Sequence, residues 1–189
     1  MLCGRFFELS YIYAESGGNA LYHRIYKLKP LASYHVIADA ILNGAKGIAT
    51  VQGGKPESLI ATAMQYGRTE TLGTQTIYGI QASEALGTVM RGSYNTFLKQ
   101  GCRLLMANPT GSVAIATIAM KRYDGTNVEL GRMLAVPAHG LKDYNLCAED
   151  KENVYGVITV QPDTPNTIFA TVLRIGENEQ YRFSTPVRQ

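Results

Sequence analysis

Residue types that together perform nucleophilic chemistry occur near one another in this 189-residue chain. His139 and Cys147 lie eight positions apart with Asp143 between them, and Cys102 could join them only through folding. A thiol beside an imidazole is activated as a thiolate, the attacking species of cysteine-dependent enzymes. Cys102 lies in an apolar stretch typical of a buried, unreactive thiol, whereas Cys147 lies in a charged loop. These residues support one alternative function, a small-molecule binding protein or a cysteine-dependent enzyme.

Other patterns that hold metals or cofactors are missing from the sequence. The histidines His23, His35 and His139 are not paired locally, and neither Cys-x-x-Cys nor His-x-x-x-His occurs. A glycine turn precedes Lys55, but Pro56 follows where a P-loop requires serine or threonine. We therefore expect neither a metal ion nor a cofactor.

Charge and hydropathy limit the kinds of partner. The 18 basic and 15 acidic residues give a formal charge of +3, and the basic residues are dispersed, so nucleic-acid binding gains only slight support. Such weak binding would use a basic sheet face that includes Arg174 and Arg182. The carboxylates around Asp150 flank Lys151 and predict a solvated loop. The longest apolar stretch, 113–120, is far shorter than the roughly 20 residues of a membrane span, so we expect no membrane partner.

The N-terminal residues and the cysteine count predict a compartment. Residues 1–8 lack a basic region followed by an uninterrupted apolar segment, so we expect no secretion signal. Three widely spaced cysteines do not form the even, dense framework of a small secreted protein. We therefore expect a cytoplasmic location, or a place within an assembled particle, with reduced thiols.

Hydrophobic periodicity predicts the elements that must position these residues. Alternation over 6–13 and extended character over 21–28 predict an N-terminal hairpin, which either joins a sheet or projects as an arm. Apolar residues at helical spacing predict helices over 31–42, 56–66 and 84–99.

The second half of the chain is strand-like. Residues 113–118 are apolar on both faces, which predicts a strand in the centre of a sheet, and 123–127 predict a hairpin connection. Three later strands predict a meander: 154–160, 168–175 and 181–184.

These elements predict an α+β fold, in which helices of the N-terminal half, with a possible hairpin arm, pack on a mostly antiparallel sheet from the C-terminal half. We expect a single domain over 1–189. A possible subdivision separates a mixed helix and strand segment, 1–108, from an antiparallel strand segment, 112–189.

Composition favours a structural role over catalysis. The chain has 12 tyrosines, no tryptophan and only 17% charged residues. Tyrosine is common in protein interfaces, whose cores are depleted in charge. We therefore expect a non-enzymatic structural subunit that self-associates or docks into a larger assembly of virion or scaffold type. Its predicted contacts to copies of itself or to other subunits are Phe6, Phe7, Tyr11 and Tyr13, whose rings a projecting hairpin would leave uncovered.

Overall fold

The structure, a computed structural model, describes residues 5–43, 45–54, 59–69, 73–81, 87–150, 153–176 and 182–187. Antiparallel strands dominate these residues. In chain order they are β1 (Arg5–Ala14), β2 (Tyr22–Leu28), β3 (Gly47–Gly53), β4 (Thr62–Thr69), β5 (Gly73–Gln81), β6 (Met90–Asn95), β7 (Gly101–Ala107), β8 (Ala114–Arg122), β9 (Asn127–Val136), β10 (Leu141–Asn145), β11 (Tyr155–Pro162), β12 (Phe169–Ile175) and β13 (Arg182–Val187). A short helix, α1 (Asp39–Leu42), and 3₁₀ turns at Phe97–Lys99 and Leu146–Glu149 are also present.

Two four-stranded sheets pack face to face and form the core. Sheet II has the strand order β6-β11-β8-β9, and sheet III has the order β10-β7-β12-β13. Alternate residues of β7, β8 and β11 are buried, as the two-residue period of a strand requires. Side chains of both sheets form one cluster, and its members without exposed surface include Leu104, Met106, Ile118, Met120, Ile158, Val160 and Val172. Because burying each such side chain contributes about 1.5–3 kcal/mol, this cluster is the main stabilising feature of the sandwich.

The N-terminal strands form a third sheet, sheet I, with the order β2-β1-β3. The predicted hairpin is confirmed as β1 paired with β2, and the other edge of β1 pairs with β3. Two backbone hydrogen bonds attach sheet I to the sandwich: Gly18 N–H donates to the Ala138 carbonyl at 3.3 Å, and Leu141 N–H donates to the Glu15 carbonyl at 2.9 Å. The hairpin of β4 and β5 is a separate two-stranded sheet.

The α+β prediction is wrong, because the described parts of the segments predicted as helices are mostly strand or irregular chain. Of 31–42, only Asp39–Leu42 is helical, and 90–95 form β6, which pairs with β11. Met90 and Tyr94 are both buried at a four-residue spacing, which a helix and a strand share. Gly92 lies between them and has no side chain, so the two-residue alternation is hidden in the sequence. Within the described residues, no helix is long and apolar enough to cross a membrane.

The pairing of the later strands differs from a meander. β11 lies between β6 and β8 in sheet II, whereas β12 lies between β7 and β13 in sheet III, so the first link of the predicted meander is wrong. The predicted central strand is confirmed as β8, and the predicted hairpin connects it to β9. β6 and β7 belong to the sandwich, which therefore begins before residue 108. The single domain stays a prediction.

Candidate interaction surface

Cys102 and Cys147 are joined in a disulfide, with Cα atoms 5.1 Å apart. Cys102 lies on β7 without exposed surface, and Cys147 lies in the 3₁₀ turn after β10 and packs against the core. The bond fixes this turn to sheet III and leaves neither sulfur as a thiolate. Sequence reasoning missed the pair because 45 positions separate the two cysteines, and no local pattern connects them.

His139 and the disulfide lie at opposite ends of β10. The imidazole precedes this strand, whereas Cys147 follows it. The ring of His139 stacks on Tyr13, with centroids 4.5 Å apart and planes 6° apart, and its Nδ1 is buried without a hydrogen-bond partner in the described structure. The fold therefore does not bring the imidazole to either cysteine. Among the described side chains, no three of His, Cys, Asp or Glu are grouped so that they could hold a metal ion.

The four predicted interface rings all lie on β1. Tyr13 is 6% exposed in its stack with His139, so the ring is covered by its own chain. The side chains of Phe6, Phe7 and Tyr11 lie outside the described part of the structure. Contact of these residues with another subunit stays a prediction, and Tyr13 helps to join sheet I to the sandwich.

An ion-pair cluster lines a groove between sheet I and the sandwich. The carboxylate of Asp143 accepts hydrogen bonds from Arg103 Nε at 2.6 Å and from Lys46 Nζ, and the side chain is 5% exposed. The groove has a volume of about 530 Å³ and is also lined by Glu15 and Lys142. Burial raises the pKa of Asp143, but the hydrogen bonds from Arg103 and Lys46 outweigh burial and hold this pKa below its ordinary value. Asp143 therefore stays ionised and ties the chain before β3 to sheet III.

We expect the stabilisation from the Asp143 ion pairs to be lost in acid. Because the folded-state pKa is lowered, the stabilisation is complete above the ordinary carboxyl pKa of about 4 and disappears as the pH falls through the folded-state value. Asp143→Asn should lower the urea midpoint at neutral pH, and its difference from the wild type should shrink in acid. Urea unfolding over a pH series measures this difference. A difference that does not change with pH would contradict the expectation.

A second ion pair is buried at the end of the sandwich. The side chain of Asp150 has no exposed surface; its Oδ1 accepts hydrogen bonds from Arg122 Nε at 2.9 Å and Nη2 at 2.7 Å. Its Oδ2 accepts a hydrogen bond from the Tyr94 hydroxyl at 2.6 Å. Burial and this hydrogen bond raise the pKa of Tyr94, so the hydroxyl remains a donor. The prediction of a solvated loop is thus wrong for Asp150, because its partners come from β6 and β8.

The face of sheet II that points away from the core, here called the outer face, exposes apolar side chains. Residues paired across antiparallel strands share a face. The rows of the outer face across β11, β8 and β9 are Val157, Lys121 and Asn127; Thr159, Ala119 and Leu130; Gln161, Thr117 and Met133; and Ile115 and Ala135. On β6, Ser93 lies beside Val157 and Arg91 beside Thr159. Leu130 on β9 is 69% exposed, Met133 on β9 is 65% exposed and Val157 on β11 is 48% exposed, with strand β8 between them. Exposed apolar side chains on one sheet face make that face a candidate interaction site.

An aromatic row continues the outer face beyond Val157. Tyr155 stacks on Tyr123 with centroids 4.8 Å apart, and its centroid lies 6.2 Å from that of Phe97. All three rings are exposed. Leu98, the next residue, has a left-handed backbone, with φ 56° and ψ 36°, and is 73% exposed. This conformation costs a non-glycine residue about 1–2 kcal/mol. Leu98 therefore combines an unfavourable backbone conformation with an exposed apolar side chain.

The outward face of sheet III is more covered than the outer face of sheet II. Its outward residues Arg103, Leu105 and Thr171 are half-buried, and Leu173 is 5% exposed. Sheet I reaches this side through the ion pair of Lys46 with Asp143, and β5 lies against β13. The outer face of sheet II is therefore the sandwich face that the described elements leave open.

The basic residues of the sandwich strands, which include Arg174 of the basic sheet face predicted above, lie in different surroundings. Lys121 lies on the outer face of sheet II, whereas Arg122 and Arg132 are engaged in ion pairs. Arg174 is half-buried and donates a hydrogen bond to a serine hydroxyl, and the side chain of Arg182 lies outside the described part. Nucleic-acid binding stays a prediction that this distribution does little to support.

No protein-family model, curated protein or solved structure matches this chain. Among the described surfaces, the outer face of sheet II presents Leu130, Met133 and Val157 on one sheet of the sandwich, and it is the candidate site.

Proposed function

We propose that this protein is a non-enzymatic structural subunit, of virion or scaffold type, that associates with copies of itself or with other subunits through the outer face of sheet II. The observation that carries the proposal is the exposure of Leu130, Met133 and Val157 on the outer face of one four-stranded sheet. Burying apolar surface contributes about 25 cal/mol per Å². A partner surface that excludes water from these side chains would therefore be stabilised by them.

The scaffold behind the outer face supports a binding role. The inward side chains of the same strands, such as Ile118, Met120 and Ile158, have no exposed surface. Strands held by a packed core keep their outward side chains in place before a partner arrives, which lowers the entropy cost of association. The outer face is thus a preorganised surface rather than a flexible one.

The enzymatic alternative receives less support from the described residues. A cysteine nucleophile requires a thiolate, but Cys102 and Cys147 are bonded to each other. His139 stacks on Tyr13 at the other end of β10. A small-molecule binding protein stays a prediction, and the groove beside Asp143 is the place where a ligand would be sought.

We expect the purified 189-residue chain to associate, with an average mass above 20.6 kDa that rises with concentration. The double variant Leu130→Asp/Met133→Asp should shift the mass toward the monomer at every concentration, because charged side chains resist burial in an interface. Static light scattering after gel filtration measures both masses. At dilutions where the wild type is monomeric, the thermal midpoint should change little, since both side chains are exposed in the free chain.

The matched control is Ile25→Asp, which replaces a 61%-exposed aliphatic residue on β2 of sheet I. This variant should associate like the wild type. The proposed function would be contradicted if the wild type is monomeric at every concentration and also binds no other subunit. Equal effects of the control and the double variant would contradict the assignment of the outer face.

A further inference from the structure

We infer that Arg174, Ser93 and Arg91 form a carboxylate-binding site at the β6 side of the outer face, and that the partner which docks there is an acidic segment of another subunit. The inference rests on the proposed function and names the chemistry of the partner. It begins from Arg174, a cation that this chain leaves without a counterion.

Arg174 is half-buried and bridges the two sheets of the sandwich. It is paired with Cys102 of β7 and shares the inward face of sheet III with this residue. Its Nη2 reaches sheet II, where it donates a hydrogen bond to the Ser93 hydroxyl at 3.2 Å in an exposed position. Its Nε is buried and has no hydrogen-bond partner.

The described part of the chain supplies Arg174 with no carboxylate. The ion pairs of this part join other residues, and one hydroxyl is the hydrogen-bond partner of the guanidinium. Removing a cation from water is costly unless it is paired. An anion that reaches the exposed end of the guanidinium from solvent would therefore supply the missing partner.

Arg91 adds a second guanidinium beside the first. Arg91 and Ser93 are alternate residues of β6, so both side chains lie on the outer face, with Cα atoms about 7 Å apart. β6 is the edge strand of sheet II, and no further strand of this sheet covers the two residues. A carboxylate bound at the Ser93 hydroxyl is thus within reach of both arginines. The planar guanidinium group binds carboxylates through paired hydrogen bonds.

The surrounding face favours an acidic partner. Lys121 lies across Val157 from Ser93, two strand spacings or about 10 Å away. The outward positions of β6, β8, β9 and β11 include Arg91 and Lys121 and no carboxylate. Like charges repel across an interface, so a second outer face is a poor partner and a surface rich in carboxylates is a good one.

Exposed aliphatic side chains favour an acidic protein over nucleic acid. Val157 lies between Ser93 and Lys121, and Leu130 belongs to the same row as Arg91. A protein segment with both carboxylate and aliphatic side chains can pair the cations and cover these apolar groups at the same time. Phosphodiester groups supply the charge without the apolar cover, and three cations allow few phosphate contacts.

Binding of an acidic peptide to the 189-residue chain tests the inference. The probe is a fluorescein-labelled peptide of alternating glutamate and valine, and its control has glutamine in place of every glutamate. Fluorescence anisotropy should show that the acidic peptide binds, that salt weakens its binding, and that the control peptide does not bind.

Two variants with the same change of charge locate the peptide. Arg174→Met should weaken binding of the acidic peptide by at least about tenfold, because its charge-assisted hydrogen bonds to the carboxylate are lost. Arg24→Met removes a charge from an exposed position on β2 of sheet I and should change the affinity by less than about twofold. Equal effects of the two variants would overturn the site.

Thermal unfolding separates a binding role of Arg174 from a structural role. Methionine retains an apolar stem and removes a half-buried cation. Without peptide, the midpoint of Arg174→Met should therefore equal or exceed that of the wild type. Saturating acidic peptide should raise the midpoint of the wild type and not that of the variant. A lowered midpoint with unchanged peptide affinity would assign Arg174 a structural role and overturn the inference.

The exposed residue Arg91 keeps the test decisive if Arg174→Met does not fold. Loss of peptide binding in Arg91→Met then supports the site, and unchanged affinity overturns it. A single-stranded oligothymidylate is the third probe. If it binds more tightly than the acidic peptide and this binding is lost with the arginine, the acidic subunit is overturned as the partner.

The outcomes also separate this inference from the proposed function. If light scattering shows assemblies that Leu130→Asp/Met133→Asp disrupts, but the acidic peptide does not bind or binds no better than its glutamine control, the acidic partner is overturned while the structural role stands. If the acidic peptide binds through Arg174 but the chain assembles neither with itself nor with another subunit, the carboxylate site stands and the structural role is overturned.

Discussion

Replacing Cys102 and Cys147 together with alanine should lower the free energy of unfolding by about 4 kcal/mol. The disulfide closes a loop of 45 positions, and removing it allows the unfolded chain many more conformations. Alanine is preferred to serine because Cys102 is fully buried, and a hydroxyl there would add an unpaired polar group. Urea unfolding of the wild type and the variant without reductant gives the difference directly.

Reductant provides the control for the disulfide prediction. Dithiothreitol should lower the urea midpoint of the wild type and leave that of the alanine variant unchanged. This comparison separates the loss of the cross-link from the small loss of packed volume at Cys102. A wild type whose midpoint is the same with and without reductant would show that the bond contributes nothing to stability.

The disulfide also removes the reason to expect reduced thiols. That expectation depended on three widely spaced cysteines that no local pattern pairs. Pairing of Cys102 with Cys147 instead depends on the turn that follows β10 beside β7. The spacing of cysteines in a sequence therefore says little about pairing when the fold, rather than the local chain, brings them together.

Arg122→Ala should destabilise the protein, because it removes the two hydrogen bonds and the positive charge that Arg122 supplies to the buried carboxylate of Asp150. Tyr94→Phe should cost less, about 1–2 kcal/mol, since the arginine would still satisfy the carboxylate. Thermal and urea unfolding measure both changes. The ordering matters more than the values, because it distinguishes loss of a charge partner from loss of one neutral hydrogen bond.

The double variant Arg122→Ala/Asp150→Ala tests whether the buried charge of Asp150 causes this destabilisation. Removing both charges should restore part of the stability lost in Arg122→Ala, because the buried carboxylate that had lost its arginine partner is also gone. Glu129→Gln is the matched control at an exposed pair, where Arg132 lies 2.7 Å away, and its effect should stay below about 1 kcal/mol. If the double variant is no more stable than Arg122→Ala, the buried charge is not the cause of the destabilisation.

Local patterns predicted some elements well and others badly for a clear reason. The hairpin of β1 and β2 and the connection of β8 to β9 were predictable, because alternation and turn residues act over a few positions. The strand β6 was not, because Gly92 separates Met90 from Tyr94 and leaves only a spacing that suits a helix as well. Pairing with β11 makes this segment a strand, and the residues of β6 alone do not indicate that partner.

By itself, the sequence determined the apolar period of β8, its hairpin with β9, and the tyrosine-rich composition that first suggested an interface. Tertiary structure decided which strands share a sheet, that Cys102 meets Cys147, that Asp150 is buried, and that Leu130 remains in water. The physical reason is that a strand's backbone hydrogen bonds are the same for every partner strand. The alternation of side chains fixes which face is apolar, but only the completed packing fixes whether that face is covered.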